Sequence, residues 1–279
     1  MKINVVRPSA VWHPEVFNEF CDLLEYSFIE LGYEVQVQFD IVDKRALNIF
    51  ISFFFSPEIL DQAPTSSIFV QVENLVGKTD YTRQQLQYIT ENALNFEVWD
   101  YSPANIAILE QSGVNNVKLF EFGYVKKLQR YKPLPISLRS VDVLFYGRMN
   151  EHRRSILADM AVLGVNIKIL KGRFGAERDE IMVNSKLVLN LHDYNASNFE
   201  IFRVHYPLNN AVSVLSEVNE DTSIISKYLN YIFHYPAEDL ALNAKELISN
   251  PIFLDRESEQ KLENFRQTSQ SDLLKKMLG

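Results

Sequence analysis

A glycine and two arginines follow a strongly apolar stretch near the middle of the chain. Residues 141–146 are predicted as a buried strand that ends at Gly147, after which polar and basic residues lead into a helix. Gly147 permits close approach of the backbone to a ligand, and a helix N-terminus offers unpaired N–H groups to an anion. Arg148 and Arg153 are suited to clamp a diphosphate by charge-assisted hydrogen bonds. The alternative is that Arg153 and Arg154 only form a solvated helix face.

Two later stretches carry similar chemistry. Lys171 opens a loop with two glycines and three positive charges, which is either a second loop on the nucleotide side or a plain strand-to-helix connection. His192 stands at a strand end, and Glu200 and Arg203 follow on a short helix. Residues three apart share a helix face, so Glu200 can accept ribose hydroxyls while Arg203 meets phosphate. A structural salt bridge between Glu200 and Arg203 is the alternative.

The elements that must position these residues alternate between strand and helix, which favours an α/β fold with parallel sheets. Apolar runs predict strands at 3–6, 34–39, 48–55, 67–72, 96–99, 117–120, 141–146, 167–170, 187–191 and 213–215. Helical spacing predicts helices at 14–31, 82–93, 102–111, 151–163, 178–185, 202–209, 237–250 and 255–278. Ser102 followed by Pro103 is a helix-start signal.

A basic, proline-containing stretch at 126–139 lacks periodicity and is predicted as a linker. It divides the chain into an N-terminal domain, 1–125, and a C-terminal domain, 140–260, with a last helix at 261–279. Two such α/β units are expected to form a cleft, and open α/β sheets bind ligands at the carboxyl ends of their strands.

The composition excludes several classes of protein. The 279 residues carry a formal net charge of -8, which argues against stable nucleic-acid binding. With a single cysteine, Cys21, there is no disulfide framework, and a packed core role is predicted for it. His192 and His205 lack a third partner at a recognisable spacing, so no metal site is predicted. No run reaches the ~20 apolar residues of a spanning helix, and a cytoplasmic location is expected.

Six short runs cover roughly residues 15–220 in a defined order. They are IFVQVEN at 68–74, VWDYSPAN at 98–105, DVLFYG at 142–147, ERDE at 177–180, LNLH at 189–192 and FEIFRV at 199–204. Together they resemble the GT-B glycosyltransferases of the CgeB-like, "glycosyltransferase family 1" type. The resemblance implies two Rossmann-like domains facing across a cleft, and a C-terminal helix, 261–279, that can pack back on the N-terminal domain. It also implies a nucleoside-diphosphate sugar bound mostly by the C-terminal domain, an acceptor taken mainly by the N-terminal one, and no metal.

The same resemblance assigns roles to single residues. Gly147, Arg148 and Arg153 match the positions that approach the diphosphate, and Glu200 and Arg203 match a donor-binding Glu-x-x-Arg. One departure concerns the donor ribose, because Tyr206 stands where many relatives carry the ribose-binding Glu, and Ala211 stands where they carry Gly. Ribose binding is therefore expected to shift to Glu200 or Glu217, or to be weaker.

On the acceptor side, an inverting enzyme needs a base near the acceptor hydroxyl. His13, in the loop after the first strand, and Glu73, at a strand end, are the candidates, with a capping or surface role as the alternative for His13. A retaining enzyme needs no dedicated base, and the sequence leaves this choice open. His152 and His234 are predicted as surface residues, and Trp99 as a packing anchor.

Together these observations predict a metal-independent transferase that takes a sugar from a UDP- or GDP-type donor. The donor is a co-substrate, and no cofactor is expected. A glycan, a lipid-linked glycan or another biosynthetic acceptor would receive the sugar, which allows peripheral membrane association. In the alternative interpretation, motivated by Tyr206 and Ala211, the chain is a catalytically silent module that binds a sugar nucleotide or serves a partner enzyme.

Overall fold

Two parallel β-sheets organise the chain, and each belongs to a different unit. The computed structural model describes residues 1–9, 11, 14–53, 55–77, 80–93, 96–193 and 198–279. One unit comprises Met1–Val125 together with Gln270–Gly279, and the other comprises Lys126–Ser269. Within the described ranges, no helix has both the length and the apolar character to cross a membrane.

The first sheet has six strands in the order β2-β1-β3-β4-β5-β6. They are β1 (Lys2–Arg7), β2 (Glu34–Phe39), β3 (Leu47–Ile51), β4 (Ile68–Gln71), β5 (Glu97–Asp100) and β6 (Val117–Leu119). All neighbouring pairs are parallel. The strand order reverses direction at β1, which has β2 on one side and β3 on the other.

The second sheet has five parallel strands in the order β11-β10-β9-β7-β8. They are β7 (Val141–Tyr146), β8 (Ile167–Leu170), β9 (Ser185–Asn190), β10 (Ser213–Glu217) and β11 (Phe233–Tyr235). The chain runs from β7 to β8 on one side and then returns to β9 on the other. Ligands of open α/β sheets bind beyond the strand ends at such a reversal, which here lies between β7 and β9.

Helices connect the strands, as the alternating pattern predicts. In the described ranges they are α1 (Asn18–Glu30), α2 (Pro57–Leu60), α3 (Asp80–Ala93), α4 (Pro103–Gln111), α5 (Glu151–Val162), α6 (Ala176–Val183), α7 (Ile201–Asn209), α8 (Ala237–Ser249), α9 (Pro251–Arg266) and α10 (Gln270–Leu278). The start signal at Ser102 is confirmed, because its side chain accepts a hydrogen bond from the Asn105 N–H. The single helix predicted over 255–278 is wrong, since the chain breaks at 267–269 between α9 and α10.

Aromatic side chains fill much of the first unit. Phe50 stacks on Phe69 with ring centroids 4.5 Å apart, and Trp99 stacks on Phe120 at 5.7 Å. Trp99 is fully buried, which confirms its predicted packing role. Cys21 is also buried, and this burial raises the pKa of its thiol to about 12. The thiol therefore stays protonated near neutral pH and acts as a small apolar core group.

The segment 126–139, predicted as a linker, lies in the second unit. The side chain of Asn210 accepts hydrogen bonds from the backbone N–H groups of Arg130 and Tyr131. Arg139 is buried, and its guanidinium donates to the carbonyl oxygens of Leu134 and Ser185 at 2.7 and 3.1 Å. These contacts tie the segment to β9 and to the end of α7.

The last helix, α10, returns to the first unit. Gln270 is fully buried at its start, where its Oε1 accepts from the Gly123 N–H at 2.6 Å and its Nε2 donates to the Glu121 carbonyl at 3.1 Å. Its own N–H donates to the Tyr124 carbonyl. One amide side chain thus satisfies two backbone groups beyond β6.

We expect Gln270→Ala to lower the free energy of unfolding by about 1–3 kcal/mol, because it removes the hydrogen bonds of this side chain to the buried Gly123 N–H and to the Glu121 carbonyl. Urea unfolding of the full chain measures this change. Gln267→Ala is the matched control, since the Gln267 side chain is exposed. An equal and small effect of both variants would contradict the role assigned to Gln270.

Candidate functional site

Three predicted site residues stand at the carboxyl ends of neighbouring strands in the second sheet. Gly147 follows β7, His192 follows β9, and Glu217 ends β10. Their strands are adjacent in the order β10-β9-β7. The structure therefore brings these three predicted site residues to one edge of the sheet, next to the reversal of strand order.

Arg153 is the centre of this edge. It lies on the first turn of α5 with 0% of its side chain exposed. The guanidinium makes four hydrogen bonds, to the carbonyl oxygens of Arg148 (2.7 Å), Leu191 (2.6 Å) and His192 (3.0 Å) and to the carboxylate of Glu200 (2.9 Å). It also forms an ion pair with the carboxylate of Asp193 at 3.0 Å. Arg153 thus fastens the loop after β7 to the loop after β9.

The surroundings of Arg153 act on its pKa in both directions. Burial lowers the pKa of Arg153, the charge of Arg203 lowers it further, and the carboxylates of Glu200, Asp193 and Glu217 raise it. The net shift is downward. An arginine remains protonated despite such a shift, so a positive charge persists inside the domain. With its donors occupied, Arg153 fits a role in positioning better than a direct bond to a diphosphate.

Glu200 joins two guanidinium groups. One carboxylate oxygen lies 2.9 Å from Nη2 of Arg153, and the other lies 2.7 Å from Nη2 of Arg203. Glu200 directly precedes α7, and Arg203 is in its first turn, so the i, i+3 spacing predicted from the sequence brings them together. Arg203 also donates to the Leu191 carbonyl at 3.3 Å. Arg153, Glu200 and Arg203 form what we call the ion triad.

Gly147 lies directly against the ion triad. Its φ of 144° belongs to the region that favours glycine, and a Cβ placed on it would come within 2.9 Å of Nη2 of Arg203. The absence of a side chain at Gly147 lets the Arg203 guanidinium lie over the backbone where β7 ends. The Tyr146 hydroxyl donates to the Arg203 carbonyl at 3.0 Å, which ties β7 to α7 a second time.

Asn150 fixes the start of α5. Its Oδ1 accepts from the Arg153 N–H at 2.8 Å, and its Nδ2 donates to the Asp193 carbonyl. Asp193 in turn pairs with Arg153. The helix cap and the buried cation therefore hold the same two loops.

Glu217 is a buried carboxylate whose oxygens are taken up by the chain. They lie 2.9 and 3.0 Å from Nε2 of His152, and they accept from the His192 N–H at 3.1 Å and from Nδ2 of Asn219 at 2.9 Å. Burial opposes ionisation of Glu217, but the hydrogen bonds from His152 and Asn219 and the nearby His192 outweigh it, so the pKa of Glu217 lies below its ordinary value. Glu217 is therefore ionised at neutral pH.

His192 is also buried and has partners on both ring nitrogens. Nδ1 lies 3.2 Å from the Asn198 carbonyl, and Nε2 lies 3.2 Å from the Thr222 hydroxyl. Because a carbonyl only accepts, Nδ1 carries the hydrogen. His192 thus connects the end of β9 to the segments before α7 and after β10.

Tyr206, which departs from the family pattern, is buried in the second unit and its hydroxyl is hydrogen-bonded there. Its hydroxyl donates to Asp179 at 2.7 Å, and Arg178 pairs with the other oxygen of Asp179 at 2.6 Å. Burial, together with the hydrogen bond and charge of Asp179, raises the pKa of Tyr206 above its ordinary value. Tyr206 lies on α7 and its hydroxyl reaches Asp179 on α6, which is the contact of a structural residue.

Arg148 and Lys171 have exposed side chains. Arg148 is exposed in the loop between β7 and α5, and its carbonyl accepts from Arg153. Lys171 is exposed after β8, the edge strand, which β7 separates from β9. The prediction for His13 falls outside the described residues.

In the first unit, Glu73 lies in a turn that three polar side chains hold. Gln71 and Asn105 donate to the Glu73 carbonyl at 2.7 and 2.9 Å, and Gln71 also accepts from the Glu73 N–H. Asp100, fully buried at the end of β5, receives hydrogen bonds from Gln71, from Asn105 and from the Ser102 N–H. Burial raises the pKa of Asp100 to about 7, although these hydrogen bonds lower it. The backbone of Glu73 is thus fixed at the carboxyl edge of the first sheet.

Three of these residues escaped the sequence analysis. His152 was predicted as a surface residue, yet it pairs with Glu217, and neither Asn150 nor Asp193 was selected. Asn150, three residues before Arg153 at a helix start, carries an N-cap signal that identifies its role. Nothing in the local sequence indicates the contact of His152, because Glu217 lies 65 residues away.

We compared the chain with known protein families, sequences and solved structures. No protein-family model matches the chain. A protein of Acanthamoeba polyphaga mimivirus, described as uncharacterised, is 24% identical over 253 residues, which are 87% of this chain and 79% of that protein.

Solved structures match over the whole fold. Anabaena HepE in complex with UDP and glucose matches with a TM-score of 0.65 and 14% identity, over 100% of this chain and 99% of HepE. A mutant of S. aureus TarM in complex with fondaparinux, α-GlcNAc-glycerol and UDP matches with a TM-score of 0.59 and 16% identity, over 83% of this chain. The match spans only 54% of TarM, so this chain corresponds to about half of its length. The chain has the GT-B glycosyltransferase fold, and that prediction is confirmed.

We expect Gly147→Ala to cost about 2–3 kcal/mol of stability, because it combines a positive φ with a Cβ that displaces a guanidinium held by Glu200. Gly172→Ala is the matched control: Gly172 has a φ of 62°, but a Cβ there meets nothing within 4 Å. Urea unfolding of both variants measures the difference. Equal costs would contradict the contact between Gly147 and Arg203.

Asp100 predicts a specific pH dependence. A carboxyl whose pKa is raised by folding stabilises the fold while it is protonated, and this contribution is lost as pH rises through the folded pKa. Between about pH 4 and pH 8, the free energy of unfolding of the wild type should therefore fall by up to ~4 kcal/mol relative to that of Asp100→Asn. Urea titrations across this range measure the difference, with the exposed Asp159→Asn as control. A difference that is constant with pH would contradict the prediction.

Proposed function

We propose that this chain is a glycosyltransferase that binds a uridine diphosphate sugar in its second unit and transfers the sugar to a hydroxyl of a glycan or lipid-linked acceptor. The ion triad beside Gly147 carries the proposal, since it places guanidinium charge at the reversal of strand order where α/β sheets bind ligands. HepE and TarM, which share the fold, have been crystallised with UDP, which supports the choice of nucleotide.

The chemistry of the leaving group fits these residues. Departure of a nucleoside diphosphate builds negative charge, and preorganised donors stabilise it as it develops. Arg203, held over Gly147 by Glu200, and the exposed Arg148 are the proposed diphosphate contacts, with the N-terminus of α5 beside them. Arg153 holds both loops in place. We propose that these charges support transfer without a metal ion.

Glu73 is the proposed acceptor-side carboxylate. Gln71 and Asn105 fix its backbone, so its position does not depend on a mobile loop tip. If the reaction inverts configuration, Glu73 is suited to take the proton of the acceptor hydroxyl. If the reaction retains configuration, Glu73 contacts the acceptor without this step.

Arg203→Ala tests the proposal. We expect it to weaken UDP binding about 10- to 100-fold, since it removes a charged hydrogen-bond donor, and to slow transfer by about 10²–10³. Calorimetry with UDP and release of UDP from UDP-glucose measure the two effects. Arg256→Ala, at an exposed pair with Glu257 on α9, is the control and should change neither.

Each outcome has one interpretation. Release of UDP by the wild type, lost in Arg203→Ala, supports the transferase. Binding of UDP-sugars without any release, with or without acceptors, favours the silent sugar-nucleotide-binding module. A wild-type chain that binds no nucleoside diphosphate overturns the proposal.

A further inference from the structure

His152 presents one free ring nitrogen at the edge of the sheet that carries the ion triad. It lies in the first turn of α5, one residue before Arg153, with 37% of its side chain exposed. Its partner Glu217 is only 2% exposed. Within the described part of the chain, Nε2 is bound to Glu217 and Nδ1 has no hydrogen-bond partner.

The state of the ring follows from its partner. An ionised carboxylate only accepts hydrogen bonds, so the Nε2 that faces Glu217 carries a hydrogen. In the neutral imidazole, Nδ1 then keeps its lone pair and is a hydrogen-bond acceptor. A carboxylate behind a histidine fixes both the tautomer and the ring orientation.

Both carboxylates that the sequence predicts to bind ribose already have partners within the chain. Glu200 binds Arg153 and Arg203 through its two oxygens. Glu217 binds His152, Asn219 and the His192 N–H and is almost fully buried. An incoming hydroxyl that approached either group would compete with a charged or buried partner. Nδ1 of His152 carries no such competitor.

We propose that His152 contacts the nucleotide sugar and accepts a hydrogen bond from one of its hydroxyl groups through Nδ1. Glu217 is a positioning residue that acts through His152. This inference rests on the proposed function and deepens it, because it names the group that recognises a sugar hydroxyl. Ribose and the transferred sugar offer the same chemistry, and binding of UDP and of UDP-glucose separates the two sources.

Three substitutions at one position test the contact. His152→Ala removes both nitrogens, and His152→Gln keeps a donor for Glu217 but no acceptor near the position of Nδ1. His152→Asn places an amide oxygen near Nδ1. Loss of one neutral hydrogen bond weakens binding about three- to tenfold. We expect this loss in the Ala and Gln variants and near wild-type affinity in the Asn variant. His234→Gln, at an exposed position on β11, is the control.

Calorimetry with UDP and with UDP-glucose measures these affinities. A loss with both ligands assigns the contact to ribose, and a loss with UDP-glucose alone assigns it to the transferred sugar. Unchanged binding of both ligands to the Ala and Gln variants overturns the inference while the proposed function stands. A wild-type chain that binds neither ligand overturns the proposed function and this inference together.

The nitrogen resonances of the histidines give a readout that is independent of ligands. In the wild type, we expect a His152 with a protonated Nε2 and an unprotonated Nδ1. Glu217→Gln should abolish this fixed tautomer and weaken binding as His152→Ala does, whereas Glu220→Gln, at an exposed position, should leave both unchanged. A protonated Nδ1 in the neutral wild-type ring would overturn the inference.

Discussion

A buried guanidinium group imposes the strongest constraint on this molecule. Arg153 is closed off from solvent, and each donor left without an acceptor would cost free energy comparable to a lost hydrogen bond. The chain meets this demand with carbonyl oxygens from the loops after β7 and β9 and with the carboxylates of Asp193 and Glu200. These contacts hold residues 191–193 and the backbone at Arg148 in fixed positions around one guanidinium group.

In the proposed function, some charged residues of this edge position other side chains, and others contact the nucleotide sugar. Glu200 and Glu217 have the residue type expected of ligand-binding groups, yet their oxygens are bound by Arg203, His152 and other neighbours. Such a carboxylate orients a cation or a ring, and in the proposed function the oriented group then contacts the nucleotide sugar. Substituting a holding residue therefore disturbs several contacts at once, so its effects on stability and on binding are coupled.

Sequence patterns identified the α/β fold because strand and helix periodicities alternate over most of the chain. They failed where an element is too short to show a period, as in β11, and where a tertiary contact breaks a helix, as at Gln270. Residue type and spacing also brought Glu200 and Arg203 together correctly. The sequence pattern does not indicate which way the Arg153 side chain points, because the same pattern allows it to face a ligand or the protein interior. That choice depends on carbonyl groups about 40 residues away, which no local window contains.

The discontinuity of the first unit has a consequence for synthesis of the protein. Residues 126–269 form one unbroken stretch, whereas α10 supplies the buried Gln270 to a unit that otherwise ends at Val125. A ribosome therefore completes the entire second unit before it makes the final piece of the first. Until then the Gly123 N–H and the Glu121 carbonyl cannot form their hydrogen bonds to the Gln270 side chain. The first unit can therefore complete its fold only after the second unit has been synthesised.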